Sequence, residues 1–179
     1  MLGTILLIGA APDLPASHEL CGWAQYAAHP SKRACRCLTE QLEARKASGY
    51  ADEARPTSLE AMKLIALLEK GDSCSAGLAL ASFHVLDGGD LEDMMRAVSA
   101  LSASHPSLLL QVLDAQKMPA AGIESLMRML PLSTVDDPGR KRSMVKQRIA
   151  ALLGVHDSKL RRVRGIAVES LDHYLRELH

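Results

Sequence analysis

Apolar positions recur along the chain at the three-and-four spacing of a helix face. Leu59, Met62, Ile65 and Ala66 form one such stripe, with Glu69 at its solvent end. Leu91, Met94, Met95, Val98, Leu101 and Ser102 form a second, and Ile123, Leu126, Met127 and Leu130 a third. The stretch from Ser107 to Leu113 is apolar nearly all round, which predicts a central helix. Each stripe is read as core. The alternative, an adaptable methionine surface built from Met94, Met95, Met118, Met127 and Met129, is the weaker reading.

Breaks between the stripes are regular. Ser17 caps a first helix, which stops before His29-Pro30 because a residue preceding proline resists the helical conformation. A second helix runs from Lys32 to Ser48 and ends at Gly49. Thr57 and Glu60 fit a capping box for a third, ending at Gly71. A fourth spans Ser73 to Leu86, closed by Asp87-Gly88-Gly89. Asp90 is the expected cap of a fifth helix reaching Ser104. Pro106 and Pro119 open two more, and Pro131 ends the second of these. Residues 132–137 read as a loop. Pro138 opens a helix to Leu153, and a last helix covers Asp157 to Glu177.

The fold class is therefore all-α: about nine short helices in stacked helical hairpins, either a compact bundle or an irregular α-solenoid. The pattern contains neither the tetratricopeptide nor the ankyrin residue signature. Residues 17–179 read as a single all-α domain. Composition agrees. Hydrophobic residues make up 47% of the 179, yet aromatics only 3%, so Leu, Ala and Met dominate over strand-forming residues. Few aromatics also weaken the case for single-stranded nucleic-acid binding, which stacks bases on rings.

Residues 1–16 begin with an apolar run, Met1 to Ala11, too short to span a membrane. It reads either as a signal peptide lacking its basic front or as a buried N-terminal segment. No transmembrane segment is predicted.

The cysteines sharpen the choice of compartment. Four are present: Cys21, Cys35, Cys37 and Cys74. Cys35 and Cys37 lie two apart on a helix, about 200° around its axis, and cannot pair with each other. Cys35 shares the inward stripe of Leu38 and Leu42. In a hairpin about Pro30, Cys37 is nearer in height to Cys21. The expected pairs are Cys21–Cys37 and Cys35–Cys74, which would suit a periplasmic or secreted protein. Two alternatives stand beside this: four free thiols in a cytoplasmic protein, and a zinc site formed with His18 or His29, for which C-x-C is the wrong spacing.

Candidate chemistry is sparse. The histidines form no metal motif, and His84 beside Phe83 reads as a core histidine. His105, before Pro106, reads as a capping or water-facing side chain. Asp87, Asp90, Glu92 and Asp93 surround a glycine turn but do not have calcium-loop spacing. Ser143 and Lys146 match S-x-x-K by letters alone. No cofactor is implied, and no catalytic residue is assigned.

Charge supplies the functional lead. The formal net charge is +0, but from Asp137 to Gly165 nine cations face two aspartates, leaving a local +7. The cations are Arg140, Lys141, Arg142, Lys146, Arg148, Lys159, Arg161, Arg162 and Arg164. Such a segment attracts an acidic protein surface or a phosphate backbone. The sequence thus points to a non-enzymatic helical protein-interaction module, of the kind found among exported inhibitors and immunity-type proteins. The alternative is a cytosolic nucleic-acid-binding regulator using residues 140–164.

Overall fold

The computed structural model describes residues 21–48 and 55–178. The apolar run at 1–16, the Ser17 cap and His18 lie outside the described residues. Nine α-helices and no strand are found among the described residues. They are α1 (Trp23–Ala28), α2 (Lys32–Ser48), α3 (Ser58–Glu69), α4 (Ser73–Ser82), α5 (Gly88–Ser104), α6 (Pro106–Ala115), α7 (Ala120–Met127), α8 (Pro138–Leu153) and α9 (Arg161–Glu177). The fold is all-α, as the periodicity predicts.

Local signals account for most helix starts. Thr57 and Glu60 form the reciprocal capping box of α3: Glu60 Oε2 accepts from the Thr57 amide at 2.7 Å. Asp72 caps α4 by accepting from the Ser75 amide at 2.7 Å. Asp137 does the same for α8, accepting from the Arg140 amide at 2.8 Å. Asp157 caps a 3₁₀ turn at Ser158–Leu160, after which α9 begins.

Three expectations are corrected. Asp90 does not cap α5. That helix starts at Gly88, and the Asp90 carboxylate turns instead to Arg55 and Ser58 at the start of α3. His84 is exposed, because α4 ends at Ser82 and His84 falls in the turn beyond it. On α3 the inward face is Ala61, Leu64 and Leu68, while Leu59 and Met62 are 61% and 65% exposed. The stripe beginning at Leu59 was one register off, since either stripe satisfies the 3.6-residue period.

Packing follows one rule. Each helix from α1 to α7 packs against the helix two further on, and most also pack against the next. Odd-numbered helices thus form one layer and even-numbered helices the other, as in a helical solenoid. The stack is then drawn compact: α8 and α9 reach back onto α5 and α6. Helix α4 lies between α2, α3, α5 and α6, and most of its buried surface is made of small residues, Ser75, Ala76, Ala79, Ala81 and Ser82, with Leu78 and Leu80 the two large ones. Leu109, Leu110 and Leu113 of α6 are fully buried, which matches the expected central position of that segment.

Candidate functional site

The nine cations of the basic segment do not form one surface. Helix α8 turns Val145, Arg148 and Leu152 inward at three-and-four spacing. Arg148 is therefore 1% exposed and unavailable to a partner, which corrects its assignment to a binding face. Its Nη1 donates to Ser99 Oγ of α5 at 2.8 Å and to the carbonyls of Met127 and Met129 at 3.3 and 3.0 Å. Those carbonyls end α7, so the guanidinium sits at the negative end of that helix. Nε is buried without a hydrogen bond. Desolvation pushes the guanidinium down to about 10, which leaves it charged at neutral pH.

Two further cations have structural partners. Arg142 Nε donates to the Leu178 carbonyl at 2.9 Å, which sets the start of α8 beside the end of α9. Arg164 donates to the Val155 carbonyl and so ties α9 to the α8–α9 connection. The remaining cations divide. Arg140 and half-buried Lys141 stand at the start of α8, and exposed Lys146 lies along it. Lys159, Arg161 and Arg162 are exposed at the opposite end of the hairpin. The 16 residues of α8 span about 24 Å between the two groups.

The second group is the denser one. Arg162 is 3.6 Å from Asp114 at the end of α6, a long and exposed pair. Leu153, 54% exposed, closes α8 just before this turn.

The cysteines are brought together in two pairs. Cys21 stands with Cys37, and Cys35 of α2 stands with Cys74 of α4; each pair has sulfurs at bonding distance and Cα atoms 6.0 Å apart. These are the pairs that helix register ranks first. Both involve the α1–α2 hairpin, one within it and one joining it to α4.

Beside the second pair lies a polar group that the sequence did not announce. The Tyr26 hydroxyl of α1 is 2.9 Å from Ser75 Oγ and donates to Asp72 Oδ1 at 3.1 Å. Burial pushes the phenol up to about 12; the Ser75 hydrogen bond opposes this and the Asp72 charge adds to it. Burial also opposes ionisation of Asp72. Hydrogen bonds from the Ser75 hydroxyl and amide and from Tyr26 outweigh it, holding the carboxyl below the ordinary value. The Asp72-to-Ser75 cap was readable from spacing, but its partner 46 residues away was not.

Other charged groups serve the packing. Arg55 pairs with Asp87 at 2.6 Å and Asp90 at 3.2 Å, which occupies the carboxylates of the glycine turn. Arg128 binds Glu177 at 2.6 Å and Glu124 at 3.2 Å and lies over the Tyr174 ring, joining α7 to α9. Its guanidinium holds the Glu177 carboxyl below the ordinary value. Among the described residues no cluster of His, Cys, Asp and Glu is placed to hold a metal ion. The zinc reading with His18 falls outside the described residues. No described helix is long and apolar enough to cross a membrane. No family model, curated protein or solved structure matches the chain.

Proposed function

We propose that the protein is a helical interaction module of an oxidising, extracytoplasmic compartment, and that it acts by binding rather than by catalysis. It engages an acidic protein surface through the end of the α8–α9 hairpin, in the manner of an exported inhibitor or immunity-type protein. The observation that carries this reading is the exposure of Lys159, Arg161 and Arg162 at the connection from α8 to α9, with Leu153, the last residue of α8, also exposed. The cations would steer an acidic partner into encounter, and the leucine would supply apolar contact once docked. The two cysteine pairs support the compartment, since such pairs persist where thiols are oxidised.

The test is cross-linking of the full chain in its native host, identification of the captured protein, and titration of that protein in purified form. Arg161→Glu with Arg162→Glu is expected to weaken the reconstituted complex on the order of 100-fold. Arg140→Glu, at the far end of α8, should change it less than about threefold. Unchanged binding by the double variant rejects the cationic end as the contact. Tight binding to duplex DNA, falling steeply with salt, would put a nucleic-acid regulator in its place.

A further inference from the structure

The first hairpin differs from the rest of the stack in how it is held. Among the described residues it is the first unit and packs on α3 and α4, while every later helix has neighbours on both sides or folds back on the body. Its apolar contribution is modest: Trp23, Tyr26, Leu38 and Leu42 are its buried large side chains among the described residues. The inward face of α2 carries Ala34, Cys35, Leu38 and Leu42, and the rest of that helix is largely polar.

Two links converge on the first turn of α4. Cys35 is paired with Cys74, and the Tyr26 hydroxyl is bonded to Asp72 and Ser75. The other cysteine pair, Cys21–Cys37, lies inside the hairpin and holds α2 to the entry of α1. One bridge therefore keeps the hairpin whole, and the other fastens it to the body. Cys74 shares its helix face with Leu78 and Ala81, both buried. Leu38 and Leu42 share the face of Cys35, and α2 packs on α4 with both stripes part of one core.

We propose that Cys35–Cys74 is a redox latch, and that its reduction by a dithiol undocks the α1–α2 hairpin as a unit while α5–α9 stay folded. The dithiol thiolate attacks one sulfur of the bridge, giving a mixed disulfide and releasing one cysteine thiolate, which takes up a proton. The second thiol of the reagent then closes its own disulfide and releases the other cysteine. The bridge gains two electrons and two protons, and the dithiol loses the same number. Cys35 and Cys74 are both half-buried at the edge of the core rather than enclosed within it, and exchange depends on a thiolate reaching one of the two sulfurs. Opening a bridge between residues 39 apart in sequence removes a large constraint on the unlatched state. A stack whose units touch near neighbours can lose its end unit without losing the remainder. What is uncovered is the Leu78–Ala81 face of α4. The inference is independent of what the α8–α9 end binds.

The test is hydrogen exchange of the full chain, followed by mass spectrometry with and without dithiothreitol. Bridge status is read in parallel by alkylation. Once Cys35 and Cys74 become alkylatable, α1–α2 amides are expected to exchange on the order of 100-fold faster. Amides of α5–α9 should stay within about twofold. Cys35→Ser with Cys74→Ser should reproduce this without reductant, and Cys21→Ser with Cys37→Ser should leave the hairpin protected. Should the first double variant fail to fold, the reductant series on the unaltered chain decides. Unchanged hairpin protection after reduction overturns the proposal, as does acceleration that spreads through α5–α9, or cysteines found unbridged in protein from the native host.

Discussion

Arg148 of α8 donates to Ser99 of α5 at 2.8 Å, and the same nitrogen reaches the terminal carbonyls of α7. One guanidinium thus joins three helices. Arg148→Ala leaves those three acceptors buried without a donor and opens a cavity. Urea unfolding is expected to show a loss of about 3–5 kcal/mol. Arg148→Met fills the volume and removes the unpartnered Nε, so it should recover at least about 1 kcal/mol of that loss. An alanine variant as stable as the parent would show that the arginine contributes nothing net to the junction.

Gly71 and His105 form a second close relationship. Gly71 has φ +75°, and a Cβ built there would lie 2.5 Å from His105 Nε2. Gly71→Ala is expected to cost about 1–3 kcal/mol from backbone strain and overlap with the ring. His105→Ala in the same chain should return part of it, because the ring is the obstacle while the positive φ remains. A double-variant cycle by thermal unfolding measures the coupling. Strict additivity would show that the ring swings away freely.

The Tyr26 phenol supplies a pH signature. Its pKa in the folded chain is raised to about 12, above the ordinary 10.0. The folded state holds that proton more tightly, so the contribution is complete below pH 10 and is lost as pH rises to 12. Arg148, whose value is lowered, works in the opposite direction over part of the same range. The difference between the parent and Tyr26→Phe isolates the tyrosine. The parent should lose stability relative to the variant between pH 10 and 12. Parallel stability curves across that range would remove the shifted phenol from the account.

Much of the fold was legible because helix boundaries are local chemistry. Thr57 with Glu60, Pro106 and Pro138 mark ends within a turn of where they stand. The cysteine pairs were legible for a related reason: register around one helix separates Cys35 from Cys37. Arg148 was legible in principle, since it lies on the Val145–Leu152 stripe, but its charge drew it into the basic segment. The misplaced stripe on α3 has a different cause. Leu59 and Met62 satisfy the helical period as well as Ala61, Leu64 and Leu68 do, and only the positions of α1, α4 and α5 decide between the faces. The Tyr26–Asp72 bond and the link from Arg55 to Asp90 join distant segments, and no spacing within one helix carries them.

The packing of each helix on the one two places later also bears on how the chain reaches this state. Contacts of that kind join segments only a few tens of residues apart, so the loop entropy spent before each contact forms is small. Short-range topology favours rapid folding. The slow steps then belong to the contacts that depart from the rule, α5 with α8 and α6 with α9, which draw a linear stack into a compact one. For most of the molecule, the surface on which a helix docks is thus supplied by the next two helices in the chain.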